Sequence, residues 1–372
     1  MIATVQRGSK VLSTSTLTDT DTIPSALADT ALAVVIVSFR TSGGTIGRLK
    51  RRLWNAKITS TIQITFERID NGDSNSFTTC DWEVWEFASG ELQSLQKNAT
   101  AENPTADPLN ITVSSVTTSK AVVLFNLATA KDSTVGENRP TAYLSSAVNL
   151  EFDFYSAPAS NDWKAFWTVI EFLSGDVTIQ TGTISISGTT TSTTGSPGTN
   201  FVSTAATVLV LSFRGDASSD NFQRALMRLR ATGVGTLTLD RTSGMIGSGS
   251  AEVARWHSIE FLDGTTAQYV DATIIDAGTS DAPSITTITT TRAGVLTSGW
   301  QNARRDHTSS QAEPQCFAGL VLSASSVSVV RGASGGTLEV PVFVIEFEAT
   351  GGALVSLIYR SRARGPFFPV GV

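Results

Sequence analysis

The stretch Trp82–Phe87, which reads Trp-Glu-Val-Trp-Glu-Phe, recurs along this chain with few substitutions. The other copies, each ending in Glu-Phe, are Trp167–Phe172, Trp256–Phe261 and Val342–Phe347, of which the last lacks the tryptophan. Successive Glu-Phe pairs lie 85, 89 and 86 residues apart. A regular spacing of this size is typical of a repeated structural unit, so the sequence predicts four copies of one module of about 87 residues.

The composition predicts that each module is built from strands. Charged residues make up only 16% of the 372 residues, whereas Thr, Ser, Gly, Val and Ile are abundant, which favours short strands joined by turns over helices. Ile62–Arg68 alternates apolar and polar residues, as a strand with one wet face does. Ala33–Arg40 is apolar on both faces and is predicted to be a central strand. We therefore expect an all-β fold of four tandem β-sandwich-like modules, each a sandwich or a partly open barrel.

The repeat also sets the expected domain boundaries. Modules one to four are predicted to span 1–93, 94–178, 179–267 and 268–347, and 348–372 to form a C-terminal strand followed by a basic and apolar arm. Only a short turn separates each closing strand from the next opening strand, as in Phe172–Gly182. Such short connections leave little freedom, so we expect a semi-rigid array of modules.

Charge and hydropathy argue against two classes of partner. The formal net charge is −6, whereas a general nucleic-acid binder needs a basic surface. Strand-like sequence follows Met1 directly, so we expect no signal peptide. No apolar run approaches the length that a bilayer requires. We expect neither nucleic acid nor membrane as a partner.

Residue types that carry catalysis are scarce. Of the two histidines, His257 lies in the third closing strand, where the other copies have Glu83, Thr168 and Phe343, so a structural or solvent-facing role is favoured. His307 lies in a polar loop of module four and is the weaker alternative for a site. No nucleophile elbow, phosphate-binding loop, His-Glu-x-x-His or acidic metal loop is present in the sequence. The sequence predicts no catalytic residue, no cofactor, no metal and a protein that is not an enzyme.

The two cysteines have no metal-ligand spacing. Cys80 lies in module one and Cys316 in module four. Two free buried thiols are favoured, with a long-range disulfide as the alternative.

The repeated residues are predicted to be structural, because a group needed in every copy is part of the fold. This repeat signature comprises Trp82, Glu86, Phe87, Trp167, Glu171, Phe172, Trp256, Glu260, Phe261, Glu346 and Phe347. We expect Glu86 to face Arg40 and Glu260 to face Arg214. Two alternatives remain: a site built on the carboxylates, or exposed tryptophans that stack on sugar rings.

Two basic segments are candidates for partner contact. The first contains Arg48, Lys50, Arg51 and Arg52, which would meet an acidic partner surface, with a solvated face as the alternative. The second is the arm, in which Arg360, Arg362, Arg364, Phe367 and Phe368 are candidates for docking on a partner. A basic arm with apolar residues gains little alone but becomes ordered on a partner.

The chain resembles tandem β-module virion structural proteins of tailed bacteriophages. The resemblance rests on the opening Val5–Gly8, the passage Val116–Leu124 and the Val-Ile-Glu-Phe closings. It implies a non-enzymatic virion structural protein that assembles as a homo-oligomer, a trimer or higher, with other virion proteins. It also implies synthesis in the host cytoplasm and localisation in the virion, and it transfers no individual site residue.

Several locations and partners are compatible with this resemblance. A tail-associated fibre, adaptor or sleeve-like component is favoured. The alternatives are a capsid decoration protein, or an adhesin that binds a host glycan through its tryptophans or its loop tips.

Overall fold

The prediction of an all-β fold is confirmed. The structure, a computed structural model, describes residues 1, 3–12, 15–42, 54–69, 77–100, 106–129, 140–154, 163–187, 190–214, 226–241, 252–299, 301–302 and 318–349. In these ranges the regular elements are strands, apart from three 3₁₀ turns at Thr30–Leu32, Thr118–Lys120 and Thr290–Arg292.

The first six strands form two three-stranded antiparallel sheets. They are β1 (Ala3–Leu12), β2 (Thr18–Thr22), β3 (Ala33–Ser42), β4 (Asn55–Ser60), β5 (Gln63–Glu67) and β6 (Phe77–Phe87). One sheet has the order β1-β6-β3 and the other the order β2-β5-β4. We call these six strands the first strand set.

Three further strand sets follow along the chain. The second comprises β7 (Leu92–Ala99), β8 (Leu109–Thr112), β9 (Ala121–Thr129), β10 (Thr141–Ser146), β11 (Asn149–Asp153) and β12 (Trp163–Phe172). The third comprises β13 (Val177–Ile186), β14 (Ser192–Gly195), β15 (Thr207–Arg214), β16 (Met227–Gly233), β17 (Thr236–Arg241) and β18 (Glu252–Phe261). The fourth comprises β19 (Thr266–Ile274), β20 (Ser280–Asp281), β21 (Ala293–Thr297), β22 (Gln301–Asn302), β23 (Ala318–Leu322), β24 (Val327–Arg331) and β25 (Leu338–Glu346).

The same pairing order recurs in each strand set. The closing strand lies between the opening and third strands in one sheet, and in the other sheet the remaining strands pair around the strand that precedes the closing one. The fourth set adds β22, which pairs with β25. The predicted boundaries of the four tandem modules stay a prediction.

The closing strands of the first, second and fourth sets each contribute to two cores, because successive side chains of a strand point to opposite faces, and both faces of β18 belong to the shared one. In β6, Trp82 and Val84 pack inside the first strand set against residues such as Phe66. Trp85 and Phe87 point the other way, into a cluster that contains residues of all four sets. The closing strands therefore join the four sets around one shared core.

A repeated polar contact connects each strand set to the preceding one. It joins a residue in or just after the third strand to the fourth strand of that neighbour's sandwich, which is β23 in the fourth set, where the additional strand β22 pairs with β25. The four contacts are Ser38 Oγ with Leu320 N at 2.8 Å, Asn126 Nδ2 with Ala56 O at 3.5 Å, Ser212 Oγ with Ala142 N at 3.1 Å, and Ser298 Oγ with Leu229 O at 2.5 Å. Since the first set reaches the fourth in this way, the sets form a closed ring, which goes beyond the expected array.

The ring explains why Ala33–Arg40 was wrongly predicted to be central in its sheet. This segment forms most of β3, an edge strand, and β6 is central. Val35 belongs to the core of the first set, whereas Val34 belongs to the shared core. The neighbouring strand set covers the outer face, so an edge strand is apolar on both faces.

One interface differs from the others in its side-chain sizes. A Cβ atom at Gly294 in the fourth set would lie 2.3 Å from the Trp85 ring of the first set. In the other sets the counterparts of Trp85 are Ile170, Ile259 and Ile345, and those of Gly294 are Val34, Val122 and Val208. The loss of a side chain at Gly294 therefore matches the gain of a ring at Trp85.

Gly294→Ala is expected to lower the free energy of unfolding by about 1–3 kcal/mol, because the added methyl group overpacks the interface. Gly233→Ala is the matched control, since its Cβ would meet only Thr236, at 3.5 Å. The midpoint of urea unfolding, compared with that of the wild type, measures the change in stability of both variants. The double variant Trp85→Ile with Gly294→Val should be more stable than Gly294→Val alone, and an unchanged midpoint for Gly294→Ala would contradict the packing described.

Candidate functional site

The signature carboxylates bind backbone N–H groups on the approach to each third strand. The four bonds are Asp29 N to Glu86 at 2.9 Å, Thr117 N to Glu171 at 2.7 Å, Val202 N to Glu260 at 2.6 Å and Thr289 N to Glu346 at 2.9 Å. Each carboxylate thus fastens a connecting segment to its closing strand. The repeat makes a structural contact rather than an array of free carboxylates.

The predicted pairing of Glu86 with Arg40 and of Glu260 with Arg214 is wrong. Arg40 lies opposite Thr79 in β6, far along the strand from Glu86, and its Nη2 is 3.5 Å from Asp81. Arg214 contacts Asp153 of the second strand set. Strand register, which the sequence does not state, decides both pairings.

A second repeated residue was missed by the sequence analysis. One glutamine in each opening strand forms two hydrogen bonds with the backbone of a single residue 18 or 19 positions later. The pairs are Gln6 with Ser25, Gln96 with Ser114, Gln180 with Thr199 and Gln268 with Thr286, and in each the N–H donates to Oε1 at 2.7 Å. A comparison of the opening strands, made as the closing strands were compared, would have found it.

The signature tryptophans are buried. Trp82, Trp167 and Trp256 are 3%, 5% and 3% exposed. A Cβ atom at Gly8 would lie 2.2 Å from the Trp82 ring, and one at Gly182 would lie 2.6 Å from Trp256. The rings offer no face to a sugar, so the hypothesis of an adhesin that uses these tryptophans is wrong.

The signature phenylalanines meet between the strand sets. The ring centroids of Phe87 and Phe347 are 5.7 Å apart, and those of Phe172 and Phe261 are 6.5 Å apart. Edge-to-face contacts of this kind add to the stability that burial provides.

The strongest candidate for a functional site is a cavity of about 170 Å³ at the centre of the ring. Residues from all four strand sets line it, including the third strands of every set. We call it the axial cavity. Its buried polar residues include Glu83, Thr168 and His257, which occupy the same position in three closing strands.

Glu83 is held by groups from two strand sets. Its carboxylate accepts hydrogen bonds from Arg7 Nε at 2.7 Å, Trp85 Nε1 at 2.8 Å and Val295 N at 2.9 Å. Burial raises the pKa of Glu83 above its usual range, and the Arg7 guanidinium opposes that shift. The contact with Val295 ties the first set to the fourth, so this carboxylate contributes to ring closure.

His257 is placed differently. It is 3% exposed, and neither ring nitrogen has a hydrogen-bond partner among the described residues. Burial lowers the pKa of His257 to about 4, so the imidazole is neutral at pH 7. A neutral imidazole presents one donor and one acceptor, which suits binding of a small polar group.

The remaining predicted site residues lie elsewhere. Cys80 is buried and free, and burial raises the pKa of its thiol. Outside the described residues lie His307, Cys316, the basic residues Arg48, Lys50, Arg51 and Arg52, and the arm residues Arg360, Arg362, Arg364, Phe367 and Phe368.

The described ranges contain neither a metal-binding cluster nor a membrane-crossing helix. They contain no group of three or more His, Cys, Asp or Glu side chains arranged to hold a metal ion. They also contain no helix with the length and apolar character needed to cross a membrane.

His257→Thr, which introduces the residue of the second strand set, should weaken the pH dependence of stability. The folded-state pKa of about 4 lies below the unfolded value of 6.5. Between these values the unfolded state binds a proton that the folded state does not, so the wild type loses stability as pH falls from 6.5 to 4. The loss due to this residue is on the order of 3 kcal/mol.

Urea unfolding of the wild type and of His257→Thr at pH 7 and pH 4.5 measures this difference. Carboxylates contribute equally to both proteins and cancel. Parallel losses of stability in the two proteins would contradict the burial of a neutral imidazole.

The chain was also compared with known proteins. No protein-family model matches it, and no curated protein matches it.

Proposed function

We propose that the chain is a non-enzymatic structural protein of a tailed-phage particle, associated with the tail as a fibre, adaptor or sleeve-like component. The observation that carries the proposal is the closed ring, in which the repeated Glu and Gln side chains all bind backbone groups. A molecule whose recurrent polar groups hold its own shape is suited to be a building block. The assignment to a phage particle rests on the resemblance to tandem β-module virion proteins.

The absence of an enzyme activity is part of this proposal. Catalysis requires an acid, a base or a nucleophile in reach of a reacting atom and of one another. In the described part of the axial cavity, Glu83 is bonded to Arg7, Trp85 and Val295, and neither nitrogen of His257 is hydrogen-bonded to a hydroxyl or thiol group that it could activate. This arrangement supports a structural role.

Recurrent exposed aliphatic residues favour other virion proteins as partners. Ile62, Val148 and Val234 occupy the same turn, between the fourth and fifth strands of their sets, and are 52%, 48% and 48% exposed. The carbonyls of Ile62 and Val148 accept equivalent bonds, and the fourth set has Ser325 at their position; Val234 lies one position earlier in its turn and accepts from Phe201 N. Aliphatic tips suit contact with a protein better than stacking on a sugar ring.

The combined variant Ile62→Ser, Val148→Ser and Val234→Ser, which replaces each exposed aliphatic side chain with a small polar one, should fold normally and incorporate less into particles. The unfolding midpoint and quantitative immunoblots of purified particles are the two measurements. Incorporation equal to that of the wild type would count against these turns as contacts. Binding of host glycan lost in this variant would instead favour the adhesin that uses its loop tips.

Deletion of residues 360–372 should leave the strand sets folded and weaken incorporation, because we assign docking to this basic and apolar arm. Circular dichroism reports the fold, and the copy number per purified particle reports docking. The matched variant changes only Arg360, Arg362 and Arg364 to Gln. Normal incorporation of the truncated chain would remove the docking role.

Negative-stain imaging with a bound antibody locates the chain on the particle. Label on the tail is the expected result, label over the capsid favours a decoration protein, and purified particles without the chain contradict the virion assignment.

We also propose a homo-oligomer; a trimer would bring together twelve similar strand sets, which suits the even symmetries of phage tails. Mass measurement that finds a monomer in solution and one copy per particle would exclude it.

A further inference from the structure

Four equivalent positions in the opening strands face the interfaces between strand sets. They are Arg7, Lys97, Thr181 and Tyr269, which lie opposite Glu83, Thr168, His257 and Phe343 in the closing strands. Because the positions are equivalent and the residues differ, each interface serves as a comparison for the others.

At two interfaces a cationic side chain occupies this position and binds backbone carbonyl groups of the neighbouring set. The Arg7 guanidinium donates to Thr290 O at 2.6 Å and to Ala293 O. The Lys97 ammonium donates to Thr30 O and Ala33 O. In both cases the acceptors are the first residue of a 3₁₀ turn and the first residue of the strand after it.

The interface between the second and third strand sets has the same turn without the cation. Here the turn is Thr118–Lys120, Ala121 follows it, and the facing residue is Thr181. A pocket of about 240 Å³ lies here, lined by residues that include Thr118, Ser119, Thr181 and His257. We call it the second–third pocket. The space that a cationic side chain fills at two interfaces is open at this one.

We propose that the second–third pocket binds a primary alkylammonium group, which takes the position that the Lys97 ammonium has at the preceding interface. The group belongs either to a free amine or to a lysine side chain of another protein, since both present the same chemistry.

The unpartnered imidazole of His257 supports this assignment. It is buried, it lines the pocket, and both of its nitrogens lack a partner among the described residues. A buried polar group without a hydrogen bond costs about 1–3 kcal/mol. An ammonium group has three donors, which match the one acceptor nitrogen of the neutral imidazole and two backbone carbonyl groups of the kind that Lys97 uses.

Charged groups of both signs lie around the pocket, and the Nε of Arg255 has no hydrogen-bond partner among the described residues. Arg255 lines the pocket, and its guanidinium lies 3.9 Å from the centroid of the Tyr143 ring. Glu151, which accepts from the Tyr143 hydroxyl, and Asp153, which also contacts Arg214, offset the positive charge of Arg255. Lys120 does not fill the pocket in place of a ligand, because its ammonium donates to Val177 O at 2.9 Å.

Titration of the wild-type chain with n-butylammonium chloride tests the proposal. With only two histidines in the chain, the ring NMR signals of His257 are identified from a His307 variant. Saturable shifts of these signals are expected, with sodium chloride and n-butanol as ionic-strength and neutral controls. No saturable shift, or equal shifts with n-butanol or with inorganic phosphate, would overturn the proposal.

Thr181→Lys supplies the missing cation from within the chain. It should raise the unfolding midpoint and weaken n-butylammonium binding at least about tenfold. Thr183→Lys, an exposed position two residues along the same strand, is the matched control and should do neither. Undiminished binding in Thr181→Lys would overturn the assignment to this pocket.

Two further probes separate the sources of the ammonium group once binding is seen. Saturable binding of Nα-acetyl-lysine N-methylamide supports a lysine side chain of a partner. Binding of 1,4-diaminobutane alone supports a free amine. Either result retains the site.

Discussion

The contact between each third strand and the fourth strand of the preceding set is the constraint on which the molecule depends. It is made four times with equivalent residues, and the contact between Ser38 and Leu320 closes the circle. An open row of sandwiches would leave one third strand uncovered, and an exposed strand edge invites pairing with another chain. Closure removes that edge and brings the four closing strands around one shared core.

The residues that recur and the residues that vary have separate tasks. The Glu and Gln side chains common to all sets bind backbone groups and keep every sandwich in the same shape. The position of Glu83 and His257, by contrast, changes character around the ring, from a bonded carboxylate to an unpartnered imidazole. The chemical differences between the strand sets therefore lie at their interfaces, where equivalent backbone positions carry different side chains.

The sequence predicted the fold class, because the alternation of apolar and polar residues indicates which side chains are buried in a strand. It also predicted the structural role of Glu86 and its counterparts, because a residue that recurs in every copy is needed by the fold of each. It did not predict the ring, since an apolar face indicates that a strand is covered but does not indicate which part of the chain covers it. Ala33–Arg40 was therefore placed at the centre of a sheet. The pairing of Arg40 failed because register is set by partners far along the chain, and Gln6 was missed because a polar residue gives no apolar pattern.

The candidate sites were harder still to predict. The basic stretch and the arm were chosen because they break the repeat, and both lie outside the described residues. The second–third pocket arises from Thr181, a residue with no distinctive sequence context. The pocket is recognised as a candidate site only when the position of Thr181 is compared in three dimensions with those of Arg7 and Lys97.

Ring closure also has a consequence for the nascent chain. Ser38 and Leu320 are separated by 282 positions, so the surface that Leu320 covers leaves the ribosome long before its partner is made. Until the fourth strand set emerges, the first set presents an uncovered apolar strand edge, and contacts at such separation form slowly. Several chains translated from one message would therefore hold the same unfinished edge at the same time. The order of synthesis, more than the stability of the finished ring, sets when this protein is most prone to join the wrong neighbour.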